Sequence, residues 1–278
     1  MKLCYVVTTP DVTATGATAY SGPLEPFFRK LHALGYQGVE LMVRNPREVD
    51  LPYIQKILSE NSLEVALVNT GRVFLDDDYS LMLPPGERRE EARQRILALI
   101  DFAAAVAGPA PAPFAPQINA GLLRGRIAPG QKQAEAYAWV VENLKYVADY
   151  AAQKGVRIAL EPINRYQSNF VNNGEQAVAL IRQVGMSNVG IQMDVFHMNI
   201  EERSLAGSFI TYRDWITHVH VCDTNRLAPG QGHLDFVEIV GALDALGYEG
   251  YLSAELDTPE QERAAELTAA HLRPLMRQ

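Results

Sequence analysis

The chain has few cysteines. Only Cys4 and Cys222 occur among its 278 residues, and both sit in apolar, strand-like runs. That count excludes a disulfide framework or a thiolate-rich metal cluster and suits two reduced core thiols. Long apolar runs are also missing: nothing approaches the roughly 18 uninterrupted apolar residues of a membrane span. An excess of positive charge is absent too, with 25 Lys and Arg against 33 Asp and Glu for a net charge of −8. The basic residues are dispersed, so the counterion release that drives most nucleic-acid binding has no source. The N-terminal segment MKLCYVVTTPDV has too short an apolar stretch for a signal peptide and reads as a first strand, which makes a cytoplasmic location the expectation. A small polar molecule is the expected partner, rather than a membrane or a nucleic acid.

What the sequence does contain is alternation. Short β-rich apolar runs exchange with longer stretches of helical periodicity, the pattern of a parallel sheet covered by helices. Strands are expected at Leu3 to Thr9, Gly38 to Val43, Glu64 to Gly71, Ala115 to Ala120, Arg157 to Ile163, Val189 to Val195, Ile216 to Asp223 and Gly250 to Leu256. Helices are expected near 23–34, 51–62, 86–107, 131–154, 174–185, 201–213, 235–247 and 259–277. Eight such units in 278 residues, close to the roughly 250 of a β/α barrel, predict an α/β fold with a single (β/α)8 TIM barrel domain over 1–278. Gly35, Gly155, Gly185 and Gly247 follow apolar-periodic runs where a left-handed residue ends a helix. The unit LHALGYQGVEL returns as LDALGYEGYLS, in keeping with a repeated βα architecture. The Pro-rich stretch 108–116 reads as a stiff connection, and 76–87 as a long loop over the barrel mouth, with Asp76, Asp77 and Asp78 a solvated charge run.

The informative residues are ionisable groups interrupting the apolar strands. RIALEPIN places Glu161 at the end of strand five, VGIQMDVFH places Asp194 and His197 at strand six, THVHVCD places His218 and His220 on one face of strand seven, and YLSAELD places Glu255 at strand eight. All four strands aim these groups at the C-terminal face, where barrel active sites form. Unpaired burial of three carboxylates is costly, and a divalent cation removes that cost. Glu161, Asp194, His220 and Glu255 make a hard O/N donor set suited to one Mn²⁺, with Mg²⁺, Co²⁺ or Zn²⁺ as alternatives. The bland counterpart is a set of salt-bridged rim residues. It explains any one of the four but not their conjunction. His197, three residues after Asp194, is a candidate substrate or metal contact; His218 reads as a core or supporting histidine; His32 and His271 lie in helix patterns as surface residues. In the loop DTNRLAPGQGHLDF, Arg226 can grip vicinal oxygens or a phosphate, Gly230, Gly232 and His233 could serve a phosphate, and Asp235 is a candidate helix N-cap.

The segments LEPINRY, MDVFHMNIEE, HVHVCDTNRLAPGQGH and YLSAEL together resemble the xylose isomerase-like TIM barrel superfamily, and within it the ketose 3-epimerases of the D-tagatose and D-psicose group. The likeness is sharpest from about residue 157 to 257. It implies a metal-dependent sugar or sugar-phosphate epimerase or isomerase with metal ligands Glu161, Asp194, His220 and Glu255. It implies that Glu161 and Glu255 act as acid and base through a metal-bound enediolate. It implies substrate contacts from His197, Arg226 and the residue six after the first ligand, here Gln167 where the group has a glutamate. Barrels of this kind commonly pair, so a homo-oligomer, dimer or tetramer, is expected. The alternatives are an aldose-ketose isomerase or a dehydratase on the same scaffold, a non-catalytic sugar-binding protein, and an endonuclease IV-like repair enzyme. Asn69, Gln117 and Asn119 at the ends of strands three and four stand against the last, which needs further histidines for a three-zinc cluster.

Overall fold

The computed structural model describes residues 1–13, 18–107 and 115–276. In chain order these form β1 (Lys2–Thr8), α1 (Leu24–Leu34), β2 (Gly38–Met42), α2 (Leu51–Glu60), β3 (Glu64–Asn69), α3 (Gly71–Asp77), α4 (Glu87–Val106), β4 (Gln117–Ala120), α5 (Gln133–Gln153), β5 (Arg157–Leu160), α6 (Gly174–Val184), β6 (Val189–Asp194), α7 (Val195–Glu201), α8 (Leu205–Tyr212), β7 (Ile216–Val221), α9 (Phe236–Ala245), β8 (Tyr251–Ala254) and α10 (Gln261–Leu272). The eight strands close into a parallel barrel in sequential order, β1 pairing with both β2 and β8. The expected barrel is the observed one. Every residue of β2 and β6 is buried, as strands covered on both faces must be.

The helix ends explain the repeated Leu-Gly-Tyr unit. Gly35 and Gly247 both adopt left-handed backbone, with φ of 83° and 67°. The following tyrosine amide then reaches back to a helix carbonyl, Tyr36 N to Leu31 O and Tyr248 N to Leu243 O, each at 3.0 Å. This is the helix-terminating arrangement in which a glycine carries the positive φ, and it turns the chain into the next strand twice in the same way. Asp235 caps α9 as expected, accepting from the amides of Val237 and Glu238.

Three expectations are corrected. The segment 76–87 is not one long loop: Asp76 and Asp77 close α3, and α4 begins at Glu87. Nor is its charge run solvated, because Asp76 pairs with Arg72 one helical turn away, while Asp77, 13% exposed, receives both Arg44 and Arg95 at 2.7 Å. Asp78 is the most open of the three to water, at 80%. The helix read at 201–213 is the shorter α8, capped by Ser204, and an additional helix that the sequence did not suggest, α7, precedes it. Helix α7 begins directly at the end of β6, so Val195 and Phe196, apolar and adjacent to a strand, imitate its continuation. The Pro-rich connection expected at 108–116 lies outside the described residues from 108 to 114. Among the described residues no helix is long and apolar enough to cross a membrane.

A buried cation ties the loops after β4 and β5 together. Arg124 is 0% exposed and donates to the carbonyls of Gly121, Glu161, Phe170 and Val171. The guanidinium donates to backbone oxygens and to no carboxylate; Gly121, Phe170 and Val171 also accept from Arg124 N, Ser168 Oγ and Ile163 N, whereas the Glu161 carbonyl has Arg124 as its donor. Replacing Arg124 with methionine keeps the bulk, strands the Glu161 carbonyl and leaves the other three with one donor each. At a cost of about 1–3 kcal/mol for an unsatisfied buried group, we expect Arg124→Met to lower the urea-unfolding free energy by about 1–3 kcal/mol. A loss below about 1 kcal/mol would show that these loops do not depend on it.

Candidate active site and metal centre

Parallel pairing places neighbouring strands in register, and this sets the height of each side chain above the barrel floor. Asp194 on β6 lies opposite His220 on β7, which in turn lies opposite Ser253 on β8. Glu161 and Glu255 follow the last residues of β5 and β8. The four expected ligands are thereby brought together, with exposures of only 6% for Glu161, 1% for Asp194, 0% for His220 and 7% for Glu255. One ligand atom from each lies within 4.8 Å of all the others. His220 Nδ1 is at the middle of the group, 3.7 Å from Glu161 Oε1, 3.6 Å from Asp194 Oδ2 and 3.5 Å from Glu255 Oε2.

Asp194 divides its two oxygens. Oδ1 caps α7 by accepting from the amides of Phe196 and His197, at 2.7 and 3.4 Å. Oδ2 faces the cluster and is buried without a hydrogen bond. The capping bonds lock the carboxylate, so the free oxygen is directed by a helix terminus rather than by a rotamer choice. Glu161 reaches its place because residue 121 is glycine: a Cβ there would collide with the Glu161 carboxylate.

The charges are strongly perturbed. Burial, together with the negative charges of Glu255 and Asp194, pushes the Glu161 carboxyl up to about 8 against the pull of His220. Burial acts on Glu255 in the same direction, but the Arg226 guanidinium and His220 outweigh it and hold that carboxyl below its usual range. Asp194 is held well down in the same way, burial being overcome by Arg226, His197 and His220. Burial alone would discharge His220, yet Glu40, Glu255 and Asp194 push its pKa well above the ordinary histidine value. One proton, one imidazolium and the Arg226 guanidinium thus offset three carboxylates, a task that a divalent ion can share.

Two further polar groups overlook the same space. Arg226 binds Glu255, approaches Asp194 Oδ2 to 3.2 Å, and lies with its guanidinium carbon 4.7 Å from the Phe196 ring centroid. Its backbone is left-handed, φ 64°, within a loop organised by Asp223, whose carboxylate accepts from the amides of Thr224, Gly230 and Leu234. The Gly230 amide is therefore spent on the loop itself. Neither Gly230, Gly232 nor His233 lines the cavity, which corrects the phosphate role considered for them. His197 Nδ1 lies 2.8 Å from the Asn164 amide nitrogen, and the Tyr166 backbone N–H fixes that amide's orientation by donating to its oxygen. In the neutral ring Nε2 then carries the proton and offers it toward the cluster, 3.8 Å from Asp194 Oδ2. Burial pushes the His197 pKa down to about 4, which keeps the ring neutral. The cavity, about 350 Å³, has Glu161, Glu255, His197, Arg226, Gln167 and Asn69 in its walls, a size within the small-molecule range.

The sequence reading missed one residue altogether. Glu40, in the middle of β2 and 0% exposed, lies beneath the cluster and contacts both strand-seven histidines, 2.9 Å from His218 Nε2 and 2.9 Å from His220 Nε2. Burial raises its pKa, but the two histidines more than compensate and keep it ionised. Its only signal is a lone acid in the apolar run GVELM, mid-strand rather than at a strand end. His218 holds the supporting, fully buried position expected of it, and His32 and His271 are exposed. Asn69 and Asn119 line the cavity or its walls, although the sequence used them only to argue against a zinc cluster.

Residues 28–275, from within α1 to just beyond α10, match the family model described as xylose isomerase-like TIM barrel, and the chain belongs to that family. Among its curated relatives is an L-ribulose 3-epimerase of Methylomonas sp. (strain DH-1), 36% identical over 127 residues, which cover 46% of this chain and 44% of the relative. The chain thus spans less than half the length of this relative in the aligned stretch. A 3-dehydro-D-guloside 4-epimerase of Escherichia coli (strain K12) is 30% identical over 238 residues, 82% of this chain and 85% of the relative. The solved structure of a D-psicose 3-epimerase with D-tagatose from Clostridium cellulolyticum H10 shares the fold at a TM-score of 0.80 and 21% identity, with 100% of each chain covered.

The protonation pattern has a measurable consequence for the metal-free protein. Glu161, up at about 8 from its ordinary 4.5, is protonated in the fold and ionised in the unfolded chain through neutral pH. His220, also raised, keeps a proton above the ordinary 6.5 that an unfolded histidine loses. Between about pH 7 and 8 the native state therefore binds more protons, and stability falls as pH rises. In metal-stripped protein we expect the melting temperature to decline over this interval, and Glu161→Gln to flatten the decline. A profile that is flat or rising in the unmutated protein would contradict the assignment.

Proposed function

We propose that the protein is a divalent-metal-dependent epimerase of ketoses that inverts carbon 3, with Glu161 and Glu255 exchanging protons with the substrate. The observation that carries this reading is the convergence of two glutamates, from β5 and β8, on one cavity and on the same Asp194–His220 centre, within 4.8 Å. Relatives named L-ribulose 3-epimerase and D-psicose 3-epimerase support the substrate class.

The residues fit a cation. Asp194 Oδ2 is buried with no hydrogen bond of good geometry, Arg226 being an ion-pair neighbour at 3.2 Å, three carboxylates surround one imidazole nitrogen, and no thiolate is present among them. Glu161, Asp194, His220 and Glu255 would hold it, and an oxygen-rich set of this kind favours Mn²⁺, with Mg²⁺ or Co²⁺ next. When bound, a divalent ion neutralises the cluster and polarises a substrate carbonyl. One glutamate removes the proton from the carbon beside the carbonyl, and the other returns a proton from the opposite side, which inverts the centre. Arg226 and the Nε2–H of His197 donate to the oxygens on which negative charge develops. Gln167, at the outer wall, presents a neutral amide to the distal hydroxyls. Phe196 stacks beneath Arg226 and restricts it to one orientation.

A second reading rests on the 4-epimerase relative, which aligns over 82% of this chain: the same two-base chemistry applied to carbon 4 of a 3-keto sugar. Reaction in heavy water separates the two, because deuterium enters at the inverted carbon, C3 in the first case and C4 in the second. With saturating Mn²⁺, we expect Glu161→Gln and Glu255→Gln each to lower kcat roughly 10²–10⁴-fold. Near-native turnover in either variant removes the two-base mechanism, and turnover without solvent deuterium in the product removes proton transfer as its basis.

A further inference from the structure

Resting on that metal reading, we infer that Glu40 is a positioning residue for the cation site, holding His220 so that its Nδ1 faces the three carboxylates. The two ring nitrogens of His220 are divided between two surroundings. Nδ1 faces Glu161, Asp194 and Glu255 at 3.5 to 3.7 Å, while Nε2 lies 2.9 and 3.0 Å from the two oxygens of Glu40. A carboxylate only accepts, so Nε2 must carry the proton and donate it. In the neutral ring Nδ1 is then left with its lone pair directed at the cluster.

Glu40 is itself held on every side. Asn69 donates to Oε1 at 2.8 Å; Ser253 and His218 donate to Oε2, each at 2.9 Å. The Asn69 amide is oriented by its own oxygen, which accepts from the Gly71 amide at 3.0 Å. With His220 these make four donors for the roughly four lone-pair positions of a carboxylate. Glu40, His218 and His220 are also close enough together to form a cation site of their own. The hydrogen bonds argue against it: the Glu40 oxygens and both Nε2 atoms are already engaged with one another, and a cation there would have to displace all of them. The four donors come from β3, β7 and β8, so Glu40 couples the barrel wall to a single imidazole. Asn69, which also lines the cavity, carries that coupling to the substrate side.

Loss of a carboxylate behind a ligating histidine typically weakens metal binding roughly 10–100-fold. By isothermal titration calorimetry, Glu40→Gln should bind Mn²⁺ weaker by about that factor, and its Co²⁺-loaded form should show a shifted visible absorption spectrum. Glu40→Asp should recover part of the affinity. A purely structural role would lower the melting temperature and leave the Co²⁺ spectrum as it was. Folded Glu40→Gln that binds Mn²⁺ within twofold of the wild type, with an unchanged Co²⁺ spectrum, overturns the proposal. Should that variant not fold, nitrogen-15 histidine spectra of the Zn²⁺-loaded wild type decide the matter: His220 protonated on Nε2 supports it, and a proton on Nδ1 overturns it. A wild type that takes up no Mn²⁺ defeats the metal reading itself, whereas equal binding by wild type and Glu40→Gln defeats only the role of Glu40.

Discussion

Three carboxylates gathered around one imidazole nitrogen, all of them nearly out of contact with water, are the constraint to which the rest of the barrel answers. Each acid carries a desolvation cost of several kcal/mol, and each repels the other two. Arg226 on the outer side and His220 at the centre supply countercharge, and Glu40 supports His220 from below. Seen this way, Arg226 stabilises the resting site as well as facing the cavity. Its left-handed backbone and the Asp223-centred loop around it are the means by which a guanidinium is delivered to two acids at once.

The scaffold supplies rigidity at little cost because each ligand is attached to an element that needs it for another purpose. Asp194 terminates β6 and caps α7 with one oxygen, leaving the other for the cluster. Glu161 sits against a glycine at 121, and its own backbone carbonyl is one of those held by Arg124. His220 lies near the end of β7, in register with Asp194 and Ser253. Disturbance of any one of these supports moves a ligand without touching its chemistry, and catalytic sites tolerate errors of only about an ångström.

The barrel and the four-residue centre were legible in the sequence because both follow from periodicity. Strands buried on both faces must be continuously apolar, so an ionisable group at the end of such a run stands out, and three carboxylates and an imidazole on four successive strands point at one rim. His197 was legible by its spacing from Asp194. Glu40 was not, since an acid in mid-strand has no pattern to interrupt until its partners on β3, β7 and β8 are known. Arg124 was equally hidden: its partners are backbone carbonyls, which leave no trace in side-chain composition. Helix α7, at 195–201, and helix α3, which pairs Asp76 with Arg72, were missed because a seven-residue helix has too few turns to show a period.

By itself, then, the sequence determined the alternation of strands and helices, the closing glycines, and which residues stand at the C-terminal rim, because these depend on local conformation and on hydrophobic pattern. Only the tertiary structure decided which nitrogen of His220 faces the acids, which oxygen of Asp194 stays free, and that the loop glycines at 230 and 232 serve Asp223 and not a ligand. The first of these depends on a hydrogen bond between strands far apart in the chain, from His220 to Glu40, which exists only once the ring is closed; the other two depend on turns that the sequence pattern does not mark.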